Sequence, residues 1–143
     1  MAVRNRLALA ATVLAGLVLV AVGGLGLVVP DVLHEANGIP PADHPAMRNE
    51  VRGVGAALAA VGGLVLVGVR RAAWRSQAAL LAATVLLAFA LGRAVSWLAD
   101  GAPGPGLVTA GAVELVLGTA AAWSAREARL GAHAPDRVSS PAR

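Results

Sequence analysis

Two residues of opposite charge interrupt the long apolar stretches of this chain. Arg93 is the only charged residue within residues 78–99, and Glu114 is the only one within residues 107–125. A charge in the middle of a membrane costs about 2.5–3.5 kcal/mol on insertion scales, so such residues usually face protein or water and have a partner. A paired guanidinium and carboxylate could fix helix packing, form a polar ligand site, or supply a general base.

The positions of the two charges place them at the same depth. Arg93 precedes Asp100, where its stretch ends, by seven residues, and Glu114 follows Leu107, where the next stretch begins, by seven. At about 1.5 Å per residue, both lie roughly 10 Å from the same membrane boundary. The turn between them, residues 100–106, is short and rich in Gly and Pro, so the two helices are antiparallel neighbours. The sequence therefore predicts direct contact between Arg93 and Glu114.

Further charged residues lie at the start of the second apolar stretch, in the same leaflet as Arg93 and Glu114. Arg48 and Arg52 are four residues apart and share a helix face, whereas Glu50 lies about 200° round from Arg52. We expect one of Glu50 and Arg52 to point into the protein and the other along the headgroups. The candidate polar cluster or ligand site therefore comprises the following residues: Glu50, Arg52, Arg93 and Glu114.

Four apolar stretches of the length that spans a bilayer dominate the chain. Hydrophobic residues make up 57% of the 143 residues and charged residues 14%, and the mean hydropathy is +0.71. We predict an all-α fold, an integral membrane four-helix bundle with up-down-up-down topology in one domain, residues 1–126. A short interfacial helix is expected after the first span, between Pro30 and Gly38, with Asp43 as N-cap of the second span. The spans are predicted near residues 5–29, 45–70, 76–99 and 106–126, followed by a basic, disordered cytoplasmic tail, residues 127–143.

Small residues at helical spacing predict close helix packing. The predicted seams are Gly55, Ala59 and Gly63 on the second span, Ala88, Gly92 and Ser96 on the third, and Gly111, Glu114, Gly118 and Ala121 on the fourth.

Arginines decide the expected orientation. Nine of the twelve basic residues fall on one side of the predicted membrane, which makes that side cytoplasmic. Both termini are then cytoplasmic, the protein is predicted to lie in the inner membrane, and the first apolar stretch is a retained span. These arginines are Arg4, Arg6, Arg70, Arg71, Arg75, Arg126, Arg129, Arg137 and Arg143.

Composition also restricts the chemistry. The chain has no Cys and no Tyr, which excludes thiol redox chemistry and phenolic acids. His34, His44 and His133 have no metal-ligand spacing, so we expect no metal site and no cofactor. The net charge of +4 comes from arginines that flank spans, so we expect no nucleic-acid partner.

Several short motifs in order resemble a family of small bacterial membrane proteins, the domain of unknown function 4345. The motifs are a Pro-led segment (30–40), Asn-Glu-Val-Arg-Gly (49–53), Leu-Gly-Arg (91–93), Asp-Gly (100–101) and Val-Glu-Leu-Val-Leu (113–117). The resemblance covers nearly all of residues 5–125. It implies four membrane helices, directs attention to Glu50, Arg52, Arg93 and Glu114, and implies no activity.

Three functions are compatible with these observations. The sequence favours a non-enzymatic membrane protein that binds a lipid or apolar small molecule at the polar cluster. The alternatives are a small transporter and a membrane-embedded isomerase or hydrolase with Glu114 as general base. The bilayer is the expected partner, and the sequence leaves the oligomeric state open, a homo-oligomer included.

Overall fold

Four long helices and two short ones make up the part of the chain that the structure describes. The computed structural model describes residues 2–41 and 43–132. Its helices are α1 (Ala2–Val28), α2 (Pro30–Ala36), α3 (Pro45–Gly68), a 3-10 turn (Ala72–Trp74), α4 (Arg75–Asp100) and α5 (Pro105–Ala132). The four long helices are each long and apolar enough to cross a membrane. The prediction of an all-α four-helix bundle is confirmed, and a short helix follows the first span as expected.

Large apolar side chains cover much of the outer surface. Leu64, Leu91 and Leu98 are exposed, Leu98 by 89%. So many exposed large apolar side chains are unusual on a soluble monomer but suit a lipid environment. The helix lengths and this surface together make the chain a membrane protein.

Two helix ends differ from the sequence prediction. The N-cap of α3 is His44 and not Asp43: its Nδ1 accepts a hydrogen bond from the Ala46 N–H at 3.2 Å. The residue before a proline favours extended backbone, so a helix with Pro45 in its first turn is capped at His44 (φ −94°, ψ 135°).

At the other end of the chain, α5 continues to Ala132, so the first residues of the predicted tail, 127–132, are helical. An ion pair supports this last stretch, because Arg4 Nε lies 2.7 Å from Glu127 Oε2. The rest of the predicted tail, residues 133–143, lies outside the described residues.

The two ends of the bundle are packed differently. We call the end that contains the start of α1, residues 69–75 and the end of α5 the arginine-rich end, and the opposite one the α2 end. The buried core lies between the middle of the bundle and the arginine-rich end, and no residue from 87 to 117 is buried. The core cluster consists of Ala15, Leu19, Val65, Ala82, Ala83, Leu86 and Ala121.

Backbone contact between glycines joins α1 to α3. A Cβ atom placed on Gly62 would lie 2.7 Å from the Val20 nitrogen and 2.8 Å from the Gly16 carbonyl oxygen. Gly55 is equally close to Gly23, with 2.8 Å between such a Cβ and the Gly23 oxygen. The predicted use of Gly55 is correct.

The predicted use of Gly63 in the same seam is wrong, since nothing lies within 4 Å of a Cβ there. A strict four-residue repeat drifts about 40° per step around a helix of 3.6 residues per turn. The face that begins with Gly55 and Ala59 therefore continues at Gly62.

Side-chain hydrogen bonds tie the arginine-rich end together. The hydroxyls of Thr12 and Ser124, 1% and 5% exposed, lie 2.7 Å apart, and Thr12 also donates to the Ala8 carbonyl oxygen. Ser76 donates to the Ala125 carbonyl oxygen at 3.2 Å. The bundle is thus anchored at this end by both packing and polar contacts.

Candidate functional site

Arg93 and Glu114 form a two-pronged ion pair between α4 and α5. Arg93 Nε donates to Glu114 Oε2 at 2.8 Å, and Arg93 Nη2 donates to Glu114 Oε1 at 2.9 Å. The side chains are 30% and 14% exposed, respectively. The predicted contact between these residues is confirmed, and its parallel geometry is the strongest that a guanidinium and a carboxylate can adopt.

A glycine on α5 makes room for the arginine. A Cβ placed on Gly111, three residues before Glu114, would lie 3.3 Å from Arg93 Cδ. The arginine stem therefore crosses α5 at a position without a side chain and reaches the carboxylate on the next turn. One turn beyond the pair, Gly118 packs against Leu87, with 2.8 Å from a Cβ to Leu87 Cγ. The predicted seam on α5 is correct.

A cavity lies on the other side of Arg93, away from α5. It has a volume of about 300 Å³ and lies between α4 on one side and α1 and α3 on the other, next to α2. We call it the interhelix cleft. Its lining residues are Val22, Gly26, Leu33, Asn37, Glu50, Val51, Val54, Gly55, Leu58, Phe89 and Arg93.

The cleft brings Glu50 and Arg93 to the same space. Glu50 is exposed and lines the cleft from α3, whereas Arg93 lines it from α4. No ion pair joins the two side chains among the described residues. Arg52 is also exposed but is not among the lining residues. Of the four predicted site residues, Glu50 and Arg93 thus line the cleft, Glu114 is joined to it through its ion pair with Arg93, and Arg52 lies outside the lining.

The short helix α2 forms one wall of the cleft. Leu33 and Asn37 line it, and the Asn37 Nδ2 donates to the Leu33 carbonyl oxygen at 2.7 Å. α2 is held by Arg48, whose Nη2 lies 3.3 Å from Asp31 Oδ2. It also touches the start of α5, where a Cβ on Gly106 would lie 2.7 Å from the Ala36 carbonyl oxygen. The sequence predicts α2 but not its position beside the cleft that Glu50 and Arg93 line.

Two polar atoms of α2 were missed by the sequence analysis. From the sequence, His34 is considered only as a possible metal ligand, but it is only 9% exposed, and its Nδ1 is buried with no hydrogen-bond partner among the described residues. The same is true of Asp31 Oδ1. The available signal was the four-residue spacing between Pro30 and His34, which places both on the buried face of one short helix.

Two further cavities reach Arg93 from the outside of α4. Their volumes are about 510 and 490 Å³, and both are also lined by Trp97, Pro103 and Leu107. The larger one runs along Ala88, Gly92 and Ser96, the seam predicted for helix packing. These three residues are exposed, and nothing lies within 4 Å of a Cβ on Gly92. No neighbouring helix covers this seam within the described part of the chain.

The chemistry of the site depends on which hydrogen-bond donors and acceptors the ion pair leaves unused. Both carboxylate oxygens of Glu114 accept hydrogen bonds from Arg93, so this carboxylate is occupied. A guanidinium has five N–H donors, and the pair uses two of them. Glu50 contributes a carboxylate with no ion-pair partner among the described residues. Within residues 2–41 and 43–132, no three His, Asp or Glu side chains are grouped so that they could hold a metal ion.

Comparison with known proteins gives one family. No curated protein and no solved structure matches this chain. A family model described as a domain of unknown function, DUF4345, matches residues 7–125. The matched range includes the apolar parts of all four long helices and every residue that lines the cleft. Because the match covers most of the chain, the protein belongs to the DUF4345 family.

Proposed function

We propose that this protein is a multi-pass protein of the inner membrane that holds a lipid, or another molecule with an apolar tail, in the interhelix cleft. The observation that carries the proposal is the cleft itself, where Glu50 and Arg93 face a cavity whose other walls are nearly all apolar. Charged groups at membrane depth are expensive and usually mark a functional site.

Both the size and the walls of the cavities support an amphiphilic ligand. Volumes of about 300–510 Å³ fall within the range of about 300–1,000 Å³ that is usual for small-molecule sites. Val22, Val51, Val54, Leu58 and Phe89 offer an apolar surface to a tail. Arg93, with its spare N–H donors, can bind the polar part of the same molecule.

Transport and catalysis receive less support from the same geometry. A packed core that includes Leu19, Val65 and Leu86 separates the cleft from the arginine-rich end, so no continuous polar path is present among the described residues. Glu114 is engaged at both oxygens and is poorly placed to accept a proton from a substrate. Binding without turnover is therefore the function that we propose.

Filling the cleft should remove the ligand. Val54 lines the cleft and is 47% exposed, so Val54→Trp adds a large ring where the tail would lie. Leu64 is also on α3 and is 64% exposed but does not line the cleft, which makes Leu64→Trp the matched control. We expect native mass spectrometry to find an amphiphile on the purified protein and on Leu64→Trp, and about tenfold less on Val54→Trp. Equal occupancy in all three proteins would contradict the proposal.

The proposed orientation places the arginine-rich end in the cytoplasm. The basic residues near span ends concentrate there, and cytoplasmic loops of membrane proteins carry such an excess. The native chain has no Cys, so single cysteines can be introduced without interference. An impermeant thiol reagent should label Ala36→Cys and Ala102→Cys in intact cells and should miss Ala73→Cys. All three positions are exposed, so the opposite labelling pattern would reverse the topology.

A further inference from the structure

We infer that the ligand's head carries both an ammonium group and an anionic oxygen, the chemistry of an aminophospholipid. The inference rests on the proposed function and adds the class of the ligand. It depends on which charges line the interhelix cleft and on which of them are already neutralised.

The charges of the site leave one carboxylate uncompensated. Arg93 and Glu114 neutralise each other through two hydrogen bonds. Glu50 is the remaining charged residue in the lining of the cleft, and it has no ion-pair partner among the described residues. Glu50, Arg93 and Glu114 together thus carry a net charge of −1, which disfavours an anionic head that has no cation of its own.

The positions of Glu50 and Arg93 favour a headgroup that carries both a positive and a negative charge. Glu50 on α3 and Arg93 on α4 line the same cavity without touching, so a polar group can lie between them. Glu50 can accept an N–H from an ammonium, and the spare N–H groups of Arg93 can donate to an anionic oxygen. A zwitterionic head satisfies both sides at once, whereas a purely anionic head satisfies only Arg93 and is repelled by Glu50.

The remaining walls support a molecule with a hydrocarbon tail. Apart from Glu50, Arg93 and Asn37, the lining is apolar, and Asn37 already donates one of its two amide N–H groups to the Leu33 carbonyl oxygen. A small zwitterion without a tail would leave this apolar surface uncovered. An aminophospholipid covers it with its acyl chains.

The test compares two lysolipids with the same acyl chain. The detergent-purified protein is given equal concentrations of lysophosphatidylethanolamine and lysophosphatidylglycerol, and native mass spectrometry measures the bound ratio. We expect the ethanolamine lipid to be favoured about tenfold, the effect of one additional hydrogen bond to a charged group. Glu50→Gln should reduce this ratio to near one. Glu35→Gln, which removes an exposed carboxylate at the same end but outside the cleft lining, should retain it.

The outcomes separate the two proposals. Equal binding of the two lipids, preference for the glycerol lipid, or a preference that survives Glu50→Gln would overturn the inference about the head. If the inference about the head fails but Val54→Trp still removes the bound lipid, the proposed function stands without that inference. If neither lysolipid binds and no other amphiphile accompanies the protein, the proposed function fails and the inference fails with it.

Discussion

Replacing Glu114 by Leu, with Arg93 left in place, should strongly lower the melting temperature of the detergent-solubilised protein. The change removes both acceptors of the guanidinium and leaves a half-buried positive charge without a partner. Breaking a buried ion pair costs about 3–5 kcal/mol, and the 30% exposure of the Arg93 side chain places the expected loss near the lower end, at about 3 kcal/mol. Thermal unfolding followed by circular dichroism would measure it.

The double variant Arg93→Met with Glu114→Leu tests whether the loss comes from the pair. Two apolar side chains of similar volume need no partner in this environment, so the double variant should recover much of the stability that either single change removes. Arg52→Met is the matched control, because Arg52 is exposed and outside the cleft lining, and it should change the melting temperature little. Losses that simply add in the double variant would show that the two residues act independently.

The same variants separate structural from ligand-binding roles of the pair. If the double variant is stable and keeps its amphiphile, the pair serves only to join α4 to α5. If it is stable but loses the amphiphile, Arg93 belongs to the binding site, as we propose.

The contact between Arg93 and Glu114 could be predicted because it depends only on helix geometry and on the length of one turn. Both residues lie on long helices, whose fixed rise converts sequence distance into depth. Because the turn between α4 and α5 is short, the two helices must be antiparallel neighbours. The cost of an isolated charge in the membrane then requires the two side chains to meet. No knowledge of the other helices was needed.

The face of α3 could not be predicted in the same way. Sequence analysis established that Glu50 and Arg52 point in different directions, but which one faces the cleft depends on how α3 rotates against α1. That rotation is set by backbone contacts at Gly55 and Gly62, and the strict four-residue pattern selected Gly63 instead. An error of one residue is about 100° on a helix, enough to exchange a buried face for an exposed one.

The cleft itself also could not be predicted from local sequence. It exists because the described core ends near Leu86 on α4, so that α3 and α4 are not packed together at the α2 end. The burial of His34 has a similar origin, since it depends on where α2 folds back over α1 and α3. Local patterns predict which helices form, whereas the space between them depends on the packing of all four.

Gly62→Ala and Gly63→Ala, adjacent substitutions of the same kind, should differ in their effect on stability, and only the first should destabilise the protein. An added methyl group on Gly62 meets the backbone of α1, 2.7 Å from the Val20 nitrogen, and backbone atoms cannot move aside as a flexible side chain can. We expect overpacking to cost about 2 kcal/mol there. The methyl group on Gly63 meets nothing within 4 Å, and alanine favours a helix over glycine by up to about 1 kcal/mol, so that variant should be as stable as the parent or slightly more stable. Melting temperatures in one detergent measure both.

A stable Gly62→Ala, or equal losses of stability in the two variants, would show that α1 and α3 do not pack through Gly62. The assignment of Glu50 to the cleft would then have to be revised as well.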